Sequence, residues 1–174
     1  MSSIEKVMRR INKEVGGEEE VINFGSQFSY NFEKIPFTSP RASYMTYGGI
    51  PIGKMIEFSG RENSGKTTSA LDIVGNAQRM IYRKELDKKV VYIDAEHTVD
   101  LNWAKQNGVD TDELILMRPQ NQSAEDILQT IIDLVKTGDV FLVVLDSLPM
   151  LVSEQLLNEN LDKSEYGGIA GVVT

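Results

Sequence analysis

Apolar and polar residues alternate along this chain with two periods, one of about 3.6 residues, typical of helices, and one of about 2, typical of strands. Glycine, proline and charged residues separate the periodic segments. The predicted elements are, in chain order, an amphipathic helix over residues 3–15, a strand over 22–32, a hairpin-like turn over 48–53, a short buried strand over 55–59, a helix from Thr67 to about Tyr82, a strand over 90–94, a short helix over 101–107, a strand over 114–117, a helix from Ser123 to Gly138 and a strand over 140–146.

From residue 55 onward, strands alternate with helices, and this order predicts an α/β fold with a parallel sheet and right-handed crossovers. The apolar run over residues 140–146 is unbroken, so we expect a central strand that is covered on both faces. Ligands of such sheets gather at the carboxyl ends of the strands. Those ends carry Gly60, the turn over 94–96, Met117 and Asp146.

The first predicted helix has one apolar face, formed by Ile4, Val7, Met8, Ile11 and Val15. Gly16 and Gly17 then interrupt the pattern. Two interpretations are open from the pattern alone. The helix either packs on its own domain or forms an arm that docks on another subunit.

Composition narrows the class of protein. A chain of 174 residues is expected to form one domain, and the absence of cysteine excludes disulfides and thiolate metal sites. No apolar run approaches the ~18 residues of a membrane span, and no secretory signal is visible, so we expect a cytoplasmic protein without a membrane segment. The net charge of −8, without a basic stripe, argues against strong nonspecific nucleic-acid binding by this chain alone.

A glycine-rich loop between the strand over 55–59 and the next helix fits the phosphate-binding pattern G-x-x-x-x-G-K-[ST]. Glycines let the backbone turn tightly and bring N–H groups against phosphate oxygens, and the helix N-terminus adds unpaired donors. Lys66 can reach the β- and γ-phosphates, and the Thr67 hydroxyl can ligate Mg²⁺. Because a strand and a helix flank the loop as the motif requires, we expect a site for a nucleoside triphosphate.

Two carboxylates follow predicted strands at the same edge of the sheet. Asp146 alone could cap the next turn, but together with an upstream P-loop it is expected to hold Mg²⁺ through a water beside Thr67. Glu96 is either a surface glutamate or a base that polarises a water, and the residues alone leave both interpretations open. We interpret His97, the only histidine, as a local hydrogen-bonding residue and not as a metal ligand.

Four blocks of the sequence resemble the RecA recombinase family, and together they span about residues 35–155. The block around Asp94-Ala95-Glu96-His97 is far more specific than a P-loop alone. The blocks are Gly48-Gly49-Ile50-Pro51-Ile52-Gly53-Lys54, then Gly60-Arg61-Glu62-Asn63-Ser64-Gly65-Lys66-Thr67-Thr68, then Tyr92-Ile93-Asp94-Ala95-Glu96-His97 with Asp100, Ala104-Lys105 and Gly108-Val109-Asp110, and finally Leu142-Val143-Val144-Leu145-Asp146-Ser147.

The resemblance implies roles for individual residues. Glu96 would activate water, Asp100 would contact the adenine amino group, and the residue at position 103 would stack on the base. The family usually has tyrosine there, whereas this chain has Trp103, whose indole also offers a flat face. The alternative for Trp103 is plain core packing. Binding of ATP and Mg²⁺ would fall to Gly60, Arg61, Glu62, Asn63, Ser64, Gly65, Lys66, Thr67 and Thr68, with Asp146 on the metal and Lys66 also offsetting charge during hydrolysis.

The resemblance also implies a domain organisation. Residues 34–174 would form a RecA-like P-loop core, a mainly parallel sheet flanked by helices that is incomplete at its C-terminal end. Residues 1–33 would form an N-terminal helix and strand that dock on a neighbouring subunit in a filament. The DNA-binding loops of the family lie beyond the last strand of this chain, so we expect the front part of a recombinase core. Leu148-Pro149-Met150 after the last strand departs from the family pattern.

The function implied by the resemblance is ATP-dependent DNA recombination, with homologous pairing and strand exchange on single-stranded DNA in DNA repair. The partners would be single-stranded DNA, bound through segments absent from this chain, and further copies in a homo-oligomer or filament. Two alternatives stay open. One is another ATPase of the same superfamily, such as a ring helicase or a repair ATPase, and the other is a non-hydrolysing interaction module switched by nucleotide.

Overall fold

The computed structural model describes residues 2–15, 22–24, 32–120 and 122–151. Its elements are, in chain order, α1 (Ser3–Val15), β1 (Lys34–Ile35), α2 (Pro40–Met45), β2 (Ile50–Pro51), α3 (Lys66–Arg83), β3 (Lys89–Asp94), α4 (Leu101–Gln106), β4 (Leu114–Met117), α5 (Ala124–Lys136), β5 (Val140–Asp146) and a 3₁₀ turn (Leu148–Met150). Most of the strand predicted over 22–32, and the glycine-rich tail after Leu151, lie outside the described residues. None of the described helices is long and apolar enough to cross a membrane.

The chain divides into two compact units, Met1–Glu33 and Lys34–Thr174. In the first unit α1 is helical as predicted, and none of its residues is buried. The Asn12 side-chain amide donates to the Ile22 carbonyl and accepts from the Ile22 N–H, both at 2.8 Å. The role of this unit in assembly stays a prediction.

The second unit is built on a three-stranded parallel sheet in the order β4-β3-β5. Val91 of β3 is paired with Ile115 of β4 on one side and with Val143 of β5 on the other. The carboxyl ends of β3 and β5 coincide, because Asp94 is in register with Asp146. This arrangement confirms the predicted parallel α/β fold.

Alternate residues of β3 face opposite sides of the sheet, as a period of two requires. Val90 and Tyr92 pack in one core cluster with Leu71 and Val74 of α3. On the other side Val91 and Ile93 share a cluster with the first turns of α5, where Ala124 and Ile127 are buried. Helices therefore cover both faces of β3, and the interior residues of this strand are fully buried.

Two glycines at the contact between α3 and the turn after α4 let the backbones approach closely. A Cβ placed on Gly75 would lie 2.6 Å from the carbonyl oxygen of Gly108. This distance is shorter than carbon and oxygen tolerate, so a glycine is needed at position 75 for α3 to pack in this place.

Two strand predictions are wrong within the part of the chain that the structure describes. Residues 55–59 form no strand, and Met55 is 99% exposed. The strand over 140–146 is β5, and its residues pack against the core clusters on both faces of the sheet, as predicted, but it lies at the edge of the described sheet, and β3 is central instead. Both errors have the same cause. An apolar run shows that a segment can be buried, but its pairing with other strands decides whether it forms a strand and where that strand lies in the sheet.

Candidate nucleotide-binding site

The P-loop lies between an extended segment and the N-terminus of α3. Gly65 precedes the helix with φ of 87°, a left-handed conformation that glycine adopts without strain. Asn63 also has a positive φ, 57°, which asparagine tolerates better than most residues. Residues 60–65 are exposed, so the first N–H groups of α3, which have no intrahelical partner, are open to an anionic ligand.

The Lys66 side chain folds back over this loop. Its ammonium nitrogen donates to the carbonyl oxygens of Gly60, at 3.2 Å, and Arg61, at 3.1 Å. These acceptors are neutral, so no negative charge from the described part of the chain compensates the positive charge of Lys66. The loop therefore fits a polyphosphate, which would supply the missing negative charge. Arg61 and Glu62 are exposed on the same loop.

Thr67 and Asp146, which are 79 positions apart in the sequence, meet at the rim of the sheet. The Thr67 hydroxyl donates to Oδ2 of Asp146 at 2.8 Å, which connects the first turn of α3 to the end of β5. A hydroxyl and a carboxylate are hard oxygen ligands of the kind that Mg²⁺ takes. No group of three or more acidic, histidine or cysteine side chains suited to a metal occurs among the described residues. The pair thus fits Mg²⁺, which usually keeps several waters and takes further oxygens from phosphate.

Glu96 lies at the same rim, one strand away from Asp146. The Ser147 hydroxyl donates to Oε1 of Glu96 at 2.6 Å, and the Ala95 N–H donates to the Asp146 carbonyl at 2.7 Å. Glu96 is exposed, so its carboxylate can contact water. The structure thus brings Glu96 and Asp146 together through neighbouring residues of two adjacent strands.

The turn that carries Glu96 is held by contacts that sequence reasoning missed. Asp94 is buried, and its carboxylate accepts from the N–H groups of Thr98 and Val99 at 3.1 and 3.2 Å. Arg118, just after β4, donates to the same carboxylate at 3.1 Å and to the Val99 carbonyl at 2.9 Å. An arginine directly after the strand predicted over 114–117 was the available signal.

His97 also stabilises this turn. It has a positive φ of 57°, and its Nε2 lies 2.7 Å from the carbonyl oxygen of Pro119. The interpretation of His97 as a local hydrogen-bonding residue is confirmed.

The Tyr92 side chain makes a further contact that the sequence did not indicate. Its hydroxyl donates to Oδ2 of Asp146 at 2.8 Å, from a fully buried position in the middle of β3. Burial, and then the hydrogen bond to Asp146, raise the pKa of the Tyr92 phenol far above its ordinary value. The phenol therefore stays protonated and serves as a donor.

Two residues, Asp100 and Trp103, are those that the resemblance associates with the adenine of the nucleotide. Asp100 lies directly before α4, and Trp103 lies within it. Asp100 is the N-cap of this helix, and its Oδ1 accepts from the Asn102 N–H at 2.8 Å. Trp103 is 45% exposed, which contradicts plain core packing. Its indole N–H lies 3.4 Å from the Thr68 hydroxyl, so Trp103 is adjacent to the P-loop helix. Contacts of either residue with a base stay predictions.

A glycine-rich loop that opens a helix beside a parallel sheet, with a lysine over the loop and a threonine–aspartate pair at the strand ends, defines the class of α/β P-loop nucleotide-binding proteins. The family within this class follows from comparison with known proteins.

A family model described as the RecA N-terminal domain matches residues 2–174. Protein RecA of Streptomyces rimosus is 38% identical over 152 residues, which cover 87% of this chain and 38% of that protein. Protein RecA of Bifidobacterium longum is 33% identical over 167 residues, covering 95% of this chain and 40% of that protein. Protein RecA of Acholeplasma laidlawii is 33% identical over 167 residues, covering 95% of this chain and 47% of that protein.

The chain belongs to the RecA family. It spans less than half the length of these relatives.

Proposed function

We propose that this chain is the ATP-binding portion of an ATP-dependent DNA recombinase, which pairs homologous strands and exchanges them on single-stranded DNA. The observation that carries the proposal is the hydrogen bond of 2.8 Å between Thr67 and Asp146, beside a P-loop whose Lys66 has no anionic partner among the described residues. We also propose a cytoplasmic location, the compartment that holds both ATP and DNA in bacteria.

The proposed chemistry is hydrolysis of the γ-phosphate. Water would attack the γ-phosphorus of bound ATP, the bond from this phosphorus to the β–γ bridging oxygen would break, and ADP and phosphate would leave, with Mg²⁺ neutralising charge on the phosphates. The loop N–H groups and Lys66 would bind the phosphates, Thr67 would ligate the metal, and Asp146 would hold it through a water. Ser147 fixes the Glu96 carboxylate through Oε1, and the exposed carboxylate orients the attacking water and accepts its proton. Trp103 stacks on the adenine, and Asp100 contacts its amino group.

We propose that single-stranded DNA and further copies of the chain are the partners of the whole protein. Support for self-association comes from α1, which is strongly amphipathic but has no buried residue, with Ile4, Val7 and Val15 exposed. An apolar helix face that is exposed fits docking on another copy. Ile4→Asp combined with Val7→Asp should lower the sedimentation coefficient of the assembled protein. Unchanged assembly would refute the role of α1.

Nucleotide binding by the 174-residue chain is the first test. A fluorescent ATP analogue should bind in the presence of Mg²⁺ and quench the emission of Trp103, the only tryptophan. Lys66→Ala should abolish binding at concentrations that saturate the unchanged chain, because it removes the charge above the loop. Lys136→Ala, an exposed lysine in the last turn of α5, is the matched control and should bind normally.

The recombinase itself is tested on the complete gene product. Single-stranded DNA should stimulate ATP turnover, and open helical filaments should form. Closed rings on DNA would instead identify a helicase-like or repair ATPase. Nucleotide binding without turnover would identify a switched interaction module, and either result would refute the proposal.

A further inference from the structure

The Tyr92 phenol has a position in β3 that apolar packing alone does not require. The residue is fully buried, and the other buried members of its core cluster are all aliphatic, among them Leu71 and Val74 of α3. A buried phenol needs a hydrogen-bond partner, and a phenylalanine would fill the same space without that requirement. The partner is Oδ2 of Asp146, at 2.8 Å.

Two donors converge on this one carboxylate oxygen. Oδ2 of Asp146 accepts from the Tyr92 hydroxyl and from the Thr67 hydroxyl, each at 2.8 Å. An oxygen of a carboxylate has two lone pairs, so the two hydroxyls occupy Oδ2. Within the described part of the chain, no side chain or backbone N–H donates to Oδ1. With respect to the described residues the two oxygens therefore differ, because Oδ2 is occupied by two donors and Oδ1 is available to a ligand.

The two donors to Oδ2 of Asp146 belong to different elements of the fold. Thr67 belongs to the P-loop helix, whereas Tyr92 belongs to the central strand of the sheet. If the Thr67 oxygen ligates a metal, its proton can still point at Oδ2, but the Thr67 hydroxyl is then shared between the metal and Asp146. The Tyr92 hydroxyl is held by the fully buried strand and does not depend on the ligand.

We propose that Tyr92 is a positioning residue that orients Asp146, so that Oδ1 faces the metal-bound water of the nucleotide site. The inference rests on the proposed function, since it concerns the same site. It assigns to Tyr92 a role that is exerted through Asp146. Partners that orient the groups around a metal contribute typically 10- to 100-fold to metal affinity or activity. Because Asp146 would act through a water, we expect an effect of about tenfold.

The test is the Mg²⁺ dependence of nucleotide binding by the 174-residue chain. Tyr92→Phe removes one oxygen and leaves the ring in the core. It should raise the Mg²⁺ concentration for half-maximal binding of a fluorescent ATP analogue about tenfold, while binding without Mg²⁺ is unchanged. The matched control is Tyr82→Phe, because Tyr82 is 85% exposed near the other end of α3, and it should behave as the unchanged chain does.

A second measurement separates positioning from a purely structural role. Urea unfolding of the same variants without nucleotide reports the contribution of the phenol to stability. A loss of stability in Tyr92→Phe with an unchanged Mg²⁺ requirement would overturn the proposal, as would a lower Mg²⁺ requirement. If the unchanged chain shows no Mg²⁺-dependent nucleotide binding, both the proposed function and the role of Tyr92 are refuted. If the unchanged chain binds with Mg²⁺ and only the result for Tyr92→Phe differs from the expectation, the role of Tyr92 alone is refuted.

A third measurement does not depend on how well the variant folds. In the unchanged chain, the hydroxyl proton of Tyr92 should give a proton NMR signal that is protected from exchange and is retained with Mg²⁺ and nucleotide. Rapid exchange of this proton in either state would overturn the proposal.

Discussion

Replacement of Arg118 by methionine tests how the turn that carries Glu96 is held in place. Arg118 donates to the carboxylate of Asp94 and to the carbonyl of Val99, at opposite ends of this turn. The Asp94 side chain is only 1% exposed, whereas that of Arg118 is 42% exposed. Methionine keeps most of the length of the side chain and removes all of its donors, so the substitution isolates the hydrogen bonds.

The expected loss of stability depends on which hydrogen bonds the buried carboxylate of Asp94 keeps. After Arg118→Met, Asp94 still accepts from two backbone N–H groups, those of Thr98 and Val99. It loses one charge-assisted hydrogen bond, which is worth roughly 1.5–3 kcal/mol. Because water reaches the guanidinium and screens it, we take the middle of that range and expect the free energy of unfolding to fall by about 2 kcal/mol.

The assay is urea unfolding of the 174-residue chain, followed by the emission of Trp103 and by circular dichroism. Arg83→Met, an exposed arginine in the last turn of α3, is the control and should change stability by less than about 0.5 kcal/mol. Arg118→Lys keeps the charge without the planar donor geometry and should fall between the two.

A double-mutant cycle with Asp94→Asn identifies the partner. If Arg118 acts through Asp94, the two substitutions together should cost at least about 1 kcal/mol less than the sum of their separate effects. Strict additivity, or an Arg118→Met variant as stable as Arg83→Met, would refute the conclusion that this ion pair supports the turn.

Three further substitutions test other parts of the structure. Glu96→Gln should lower the rate of ATP hydrolysis by the complete protein about 10²- to 10⁴-fold while nucleotide affinity stays within about twofold, and equal losses in both would count against a base. Gly75→Ala should destabilise the chain by about 1–3 kcal/mol in urea unfolding, because the added methyl meets the Gly108 carbonyl, and a gain in stability would contradict the close approach described here. Ser123→Ala should cost about 1 kcal/mol in the same assay, since it removes the capping box with Asp126, whereas Ser123→Asp should be nearly neutral.

Local elements of this protein were predictable because they depend on residues close together in the sequence. The capping box of Ser123 and Asp126 opens α5 where the pattern places it, and α3 and β3 lie within one or two residues of their predicted bounds. The P-loop and the acidic strand ends were visible for the same reason, since each is a short motif at the end of a periodic segment.

The strand predictions that failed depend on which strands pair with each other, and not on the period of apolar residues. Residues 55–59 have the apolar composition of a strand but pair with nothing in the described part of the chain. The even more apolar run of β5 lies at an edge of the sheet that the described residues form, while β3 lies at the centre of this sheet. Strand position is a property of the sheet, because it depends on which other strands supply hydrogen bonds on each side.

The sequence by itself determined the local chemistry of this protein, namely a loop able to bind phosphate and carboxylates that follow β-strands. The tertiary structure alone decided which of these groups meet. The hydroxyls of Tyr92 and Thr67 both donate to one oxygen of Asp146. They meet there because β3 and β5 are neighbours in register and α3 packs against both strands. Contacts between residues so far apart in the chain depend on long-range packing, which no local pattern of hydrophobic residues encodes.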